Sequence, residues 1–330
     1  MELSGDTFFG FRYDDEQTKG EADANEYLGV WSDLDGFNDG VMSMDVTAKR
    51  RGKLGALLGE VRRARTLRSG LASSIFGKAR FMLSPVYGCI GKACLQPIKA
   101  RERQPLASAL DADLSDSVEF LEYACEHLPP MHIPVLPPDE GRVVVFVDAE
   151  GKKWKGSRAP TGHIGFVVEH PTLGRRHGYA PVPPSLTRLL DATRLRDTYI
   201  GQYEMVGAIV PFLSLPREWF AGRPVELWID NTMAIGALLK GYSGKPDTAR
   251  IVNMFHFTIA TLGAASLWID YVNSESNLAD IPSRFHEMSE ADIAAALADL
   301  GSPTGAVIPR FADDGGNWLP FVDIARSVWG

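Results

Sequence analysis

The sequence predicts an α/β fold: a mixed five-stranded sheet flanked by helices, preceded by a smaller and mostly helical region. Three observations carry that expectation. Between residues 143 and 272, five short apolar runs are interleaved with amphipathic stretches. Three strands come first and strand–helix units follow, which puts parallel and antiparallel strands in one sheet with helices on its faces. Over residues 47–104 the apolar positions recur at helical spacing instead: Leu54, Leu57, Leu58, Val61 and Ala64 share a face, and Arg62, Arg63 and Arg65 fall off it. Between the two regions lies Pro129-Pro130-Met131-His132-Ile133-Pro134-Val135-Leu136-Pro137-Pro138, whose prolines exclude a helix and make a stiff connector.

Taken in order, residues 1–44 are acidic and glycine-rich, with one strand expected over 27–31. Within the next region, 45–128, Gly70 and Pro85 divide residues 47–104 into about three helices, and a further helix is expected over 114–127. The linker at 129–140 marks a domain boundary, and 141–330 form the larger domain. Its strands are expected at 143–148, 164–169, 175–180, 225–230 and 266–272. Its helices are expected at 198–212, 232–240, 247–263 and near 288–299. The loop after the first of these strands is basic, and its Lys152, Lys153 and Lys155 are candidates for nucleic-acid binding, with Trp154 among them either against a nucleic-acid backbone or covering the sheet.

Composition narrows the class. Hydrophobic residues at 45% and charged residues at 23% fit a soluble globular protein, and no run approaches the ~20 apolar residues of a membrane span. The first residues lack a basic and apolar leader, so an intracellular protein, cytoplasmic or nuclear, with no membrane partner is expected. Cys89, Cys94 and Cys125 are an odd count without CxxC spacing, which argues against a disulfide frame or a zinc site. The seven histidines show no ligand spacing. The net charge of −8 hides an asymmetry: residues 45–104 carry 14 Lys/Arg against Asp45, Glu60 and Glu102. Such a block suits a phosphate-binding surface, with Arg62, Arg63, Lys78 and Arg80 as candidates, although a solvated helical face is the bland alternative.

Four acids stand out. Asp148 ends the run Val143-Val144-Val145-Phe146-Val147, and Asp230 ends Val225-Glu226-Leu227-Trp228-Ile229. Glu204 is mid-helix between Tyr203 and Met205, and Asp280 follows the last strand. A carboxylate at the end of a buried strand costs free energy unless it is paired, and a divalent cation is a partner that several carboxylates can share. The carboxyl ends of parallel strands open onto one crevice, where Asp148 and Asp230 would meet. Glu204 would reach them from a crossing helix, and Asp280 would complete the set. Two Mg²⁺ or Mn²⁺ ions at ~4 Å would account for all four and would serve an in-line phosphodiester displacement.

Residues 141–285 resemble the ribonuclease H domain of retroelement reverse transcriptases, of the long-terminal-repeat or tyrosine-recombinase-type retrotransposons. The matching pieces are Val147-Asp148-Ala149, Gln202-Tyr203-Glu204, Ile229-Asp230-Asn231-Thr232 and the run from Val272 to Arg284, which reads V-x-S-x-x-N-x-A-D-x-x-S-R. The resemblance implies a ribonuclease H-like sheet with Asp148, Glu204, Asp230 and Asp280 as the catalytic, metal-binding set. It implies cleavage of the RNA strand of an RNA–DNA hybrid. It also makes Asn231 and Ser274 candidates for touching the RNA 2′-hydroxyl or backbone, and Arg284 a partner for a carboxylate or a phosphate. Upstream, the Leu28-Gly29 strand is similar to the primer-grip end of a palm, and the basic helices to a thumb and connection. The chain would then be the C-terminal part of a reverse transcriptase, with the remaining domains of that enzyme as possible partners. Tyr13-Asp14-Asp15 has the wrong spacing for a polymerase hairpin and reads as a solvated acidic turn, so no polymerase activity is expected.

Two other readings stand beside this one. A catalytically inactive scaffold remnant would keep the fold and bind nucleic acid without cutting it. Integrases, transposases, resolvases and exonucleases use similar acid clusters, and Glu150, two residues past Asp148, matches the Asp-x-Glu of some exonucleases, although a loop position is the expectation for it. His163, His170 and His177 are expected to be exposed beside hairpin strands, His256 to be a satisfied core or surface histidine on an apolar helix and not a catalyst, and Trp228, Trp268 and Tyr271 to pack the core.

Overall fold

The computed structural model describes residues 24–27, 29–36, 40–135, 141–151, 162–184, 186–187, 199–302 and 305–311. The expectations placed on Tyr13-Asp14-Asp15, Lys152, Lys153, Trp154 and Lys155 lie outside those residues.

Where one strand is expected over 27–31, the chain forms two, Ala24–Tyr27 (β1) and Val30–Asp33 (β2), paired antiparallel. Gly29 adopts φ 73° between them, a left-handed conformation that glycine takes at no steric cost. Val41–Val46 (β3) extends this sheet. The helices Ala48–Ala64 (α1), Ser69–Tyr87 (α2), Leu95–Glu102 (α3) and Ala112–His127 (α4) follow. The breaks fall at Arg65 and Gly88, both with positive φ, and not at Gly70 or Pro85. Pro85 sits in the last turn of α2, where the backbone bond it removes lies close to the helix end. Inside the proline-rich stretch, Met131–Pro134 (β4) pairs with β3 as the edge of a four-stranded sheet. Proline favours extended neighbours and is tolerated on an edge, so the stiff segment also makes a strand. Leu54, Leu58, Val61, Ile75, Met82, Leu83, Phe120 and Leu121 fill the core of this region.

The second region is built on a sheet of Val143–Gly151 (β5), Gly162–His170 (β6), Gly174–Pro181 (β7), Pro224–Ile229 (β8), Ser266–Tyr271 (β9) and Ala306–Val307 (β10). The strand order is β10-β7-β6-β5-β8-β9. β5, β6 and β7 are antiparallel, and β8 and β9 are parallel to β5. β10 pairs parallel with β7 and brings the expected five strands to six; two residues are too few to show a periodicity. The helices are Ile200–Gly207 (α5), Val210–Ser214 (α6), Thr232–Lys240 (α7), Pro246–Leu262 (α8), Asp280–Ser283 (α9) and Glu290–Asp299 (α10). Val143, Val145 and Val147 of β5, Val225, Leu227 and Ile229 of β8, and Tyr203, Val206, Val252 and Phe255 of the helices form one buried cluster. The fold is a mixed sheet with helices packed on it, as expected. Among the described residues no helix is long and apolar enough to cross a membrane.

The two cores meet on α8. Phe255 belongs to the larger cluster, while Phe257 packs edge-on against Phe120 in the smaller one. The buried Asn253 Oδ1 accepts from the Gly91 backbone at 2.9 Å, and Arg250 pairs with Asp113 and Asp116.

Expectations about four side chains are corrected. His170 and His177 are buried, His177 by a bond of 2.9 Å with Ser302 Oγ. Trp268 and Tyr271 are 63% and 48% exposed, because β9 is an edge strand, Trp268 alternates away from the buried Ile269, and Tyr271 is the last residue of the strand.

Candidate metal centre

The pairing of β5 with β8 ends at Val147 opposite Ile229. The next residue on each strand is an aspartate, so Asp148 and Asp230 are neighbours at the point where the parallel ladder stops. β5 itself runs on to Gly151 against β6, and Asp148 therefore lies within the strand. Its side chain alternates away from Val147 and points to the opposite face of the sheet.

Glu204 comes from α5, which packs on β5 and β6. One oxygen each of Asp148, Glu204 and Asp230 lies within 4.8 Å of the others. Asp148 is 7% exposed and Glu204 is 3% exposed. Burial pushes the Asp148 carboxyl up to about 6, and the charges of Asp230 and Asp280 push the same way, against a hydrogen bond from Ser283 and the charge of Arg284. Burial, then Asp148 and Asp230, push Glu204 well above the usual carboxylate range, against a hydrogen bond from the Ala149 backbone. Glu204 Oε2 is buried without a hydrogen-bond partner. A buried acceptor facing two other carboxylates is costly in isolation. Its surroundings fit a divalent cation.

Asp280 stands beside this triad and not inside it. It begins α9, ion-pairs with Arg284 at 2.6 Å, and is near enough to raise Asp148. Two residues hold its turn in place. The buried Asn277 donates from Nδ2 to the Val147 carbonyl at 2.9 Å and accepts from the Ala279 backbone at 3.1 Å. Gly165, opposite Asp148 in the β5–β6 register, lets α9 lie directly on the strand; a Cβ there would overlap the Ser283 backbone. Sequence reasoning gave neither Asn277 nor Gly165 a role. Asn277 is a fixed position of the V-x-S-x-x-N-x-A-D run, and that pattern was the available signal. Gly165 carries none.

The other candidates divide. Ser274 Oγ donates to Asp230 Oδ2 at 2.7 Å, so it touches the acid. Asn231 caps α7, accepting from the backbones of Met233 and Ala234 at 3.1 Å each. Arg284 pairs with a carboxylate. On the helical region Arg62, Arg63, Lys78 and Arg80 are exposed, and Arg62 reaches Glu122 at 3.2 Å. Arg51 and Arg101 in the same block are structural. Arg51 is ion-paired to Asp45 and bonded to Tyr87, and Arg101 donates to the Leu67 and Ala109 carbonyls.

No protein-family model matches the chain, and no curated protein matches it. Among solved structures it is similar to RNase H1 from the halophilic archaeon Halobacterium salinarum, at 17% identity and a TM-score of 0.32, over 44% of this chain and 96% of that one. It is similar to the N-terminal RNase H domain of Rv2228c from Mycobacterium tuberculosis, solved as a fusion with maltose-binding protein, at 12% identity and a TM-score of 0.29, over 48% and 99%. A third is LC9-RNase H1, a type 1 RNase H with the type 2 active-site motif, at 12% identity and a TM-score of 0.32, over 53% and 80%.

Proposed function

We propose that the chain is a metal-dependent endonuclease that cuts the RNA strand of RNA–DNA hybrids. The observation that carries this reading is the triad of Asp148, Glu204 and Asp230, the first two buried and the third half-buried, mutually repelling and converging where β5 and β8 stop pairing. These three residues would hold Mg²⁺ or Mn²⁺, with Asp280 serving a second ion. When bound, such ions supply an activated water and stabilisation of the leaving oxygen. The chain's own residues set the geometry. Ser274 orients Asp230, the Ala149 N–H orients Glu204, and Asn277 fixes the turn that brings Asp280 alongside. The Arg284 guanidinium offsets part of the negative charge on Asp280. The exposed Arg62, Arg63, Lys78 and Arg80 would add sequence-independent affinity for the backbone, weakened by salt.

Within this reading, residues 141–330 are the nuclease unit and 45–128 the basic, thumb- or connection-like unit of a retroelement reverse transcriptase. The Val272–Arg284 run and the charge of 45–104 support that assignment.

The test is cleavage of a labelled RNA–DNA hybrid in Mg²⁺ and in Mn²⁺, with Asp148→Asn and Asp230→Asn alongside. The expected result is cutting of the RNA strand only, dependent on metal and lost in both variants. Salt-sensitive hybrid binding without cutting would overturn the nuclease reading in favour of the scaffold.

A further inference from the structure

On the same face of the sheet as Asp148, two residues further along β5, lies a second group of donors. Glu150 and His163 are direct cross-strand partners on β5 and β6. His286 is set over them by the 3-10 turn Phe285–Glu287, its ring stacked on His163 with centroids 3.8 Å apart. The next ring in this array is Tyr179, whose plane lies 1° from that of His286. One ligand atom of each of Glu150, His163 and His286 lies within 4.8 Å of the other two. Glu150 Oε2 and His286 Nε2 approach to 3.1 Å, yet both are buried without a hydrogen bond of good geometry, as is His286 Nδ1. An ion pair that misses hydrogen-bond geometry, beside a buried His286 Nδ1 with no hydrogen-bond partner, is costly for a structure that gains nothing from it.

We propose that Glu150, His163 and His286 form a site for a transition-metal dication of the zinc class. Two imidazoles and one carboxylate are a ligand set that Zn²⁺ takes with a coordination position left for water; because an imidazole donates in its ring plane, His163 and His286 would turn out of their stack to share the ion. Mg²⁺ prefers all-oxygen surroundings, so the site and the carboxylate triad select different ions. The strand rise separates Asp148 from Glu150 by about 7 Å, which keeps the two ligand sets distinct. The bound ion ties the 285–287 turn to β5 and β6, and that turn directly follows α9, which carries Asp280. The site is thus an anchor for the segment that completes the acid cluster. Its three ligands come from three separate elements, and for that reason no spacing along the chain shows it.

The experiment is a Co²⁺ titration of the full chain in saturating Mg²⁺, followed by visible absorption, with Zn²⁺ then added as competitor. One Co²⁺ per chain is expected, displaced by Zn²⁺. Binding should be retained in Asp148→Asn and weakened about tenfold or more in His163→Gln, His286→Gln and the isosteric Glu150→Gln. Thermal unfolding with and without Zn²⁺ gives a second readout: the metal should raise the Tm of the unaltered chain and of Asp148→Asn. Absence of a Co²⁺ band in the unaltered chain overturns the proposal whether or not the variants fold. So does a band lost in Asp148→Asn and kept in the histidine variants. Neither result bears on hybrid cleavage, which is measured separately.

Discussion

Asp148 makes the sharpest residue-scale prediction. Its carboxyl titrates at about 6 in the folded chain, against an ordinary value of 3.8. The folded state therefore holds this proton more tightly than the unfolded state does. The stability it contributes is complete below the unfolded value and is lost as pH rises through about 6. Glu204, also raised, acts in the same direction. Urea unfolding in the presence of a chelator should show the metal-free protein weakening from pH 4 to pH 7. Asp148→Asn should flatten that dependence and gain about 2–3 kcal/mol at neutral pH while abolishing cleavage. A variant that loses both stability and activity would point to Asp148 as an ordinary paired carboxylate. Ser274→Ala removes the hydroxyl that orients Asp230 and should weaken Mg²⁺ binding by ~10–100-fold with little change in Tm, as calorimetry would show.

At the scale of elements, the close seating of α9 on β6 depends on Gly165. Gly165→Ala should cost about 1–3 kcal/mol in urea unfolding, because the Ser283 backbone must move, and cleavage should fall with it as Asp280 is displaced. Asn231→Ala should cost about 1 kcal/mol through loss of the α7 cap, while Asn231→Ser, which restores a cap, should recover most of it. These elements also show what the sequence can carry. The helix expected over 232–240 has those same bounds in α7, because Asn231 and Gly241 are strong start and stop signals. The helix expected over 198–212 is two, α5 and α6, with Pro211 in the first turn of the second. Asp148 and Asp230 were legible because each follows an apolar run, and Glu204 because it is an acid on an apolar helix. The donors Glu150, His163 and His286 were not, since only the β5–β6 register and a short 3-10 turn bring them together.

Among the described residues the molecule has two cores, and α8 contributes to both. Phe257 of α8 closes the smaller core while Phe255 closes the larger. Phe257→Ala should cost about 3–5 kcal/mol, and unfolding of the native chain should give coincident transitions by fluorescence and circular dichroism. Separate transitions in the native chain would mean that the two regions are energetically independent.

That shared helix has a geometric consequence. A flexible tether would let the basic helices grip a duplex while the acids sampled many positions along it. α8 instead fixes the spacing between the basic helices and the acids, so a nuclease of the kind proposed would work as a ruler. On hybrids with one recessed end, the cuts should gather at a constant number of nucleotides from that end, and Phe257→Ala should blur the gathering before it abolishes the cutting.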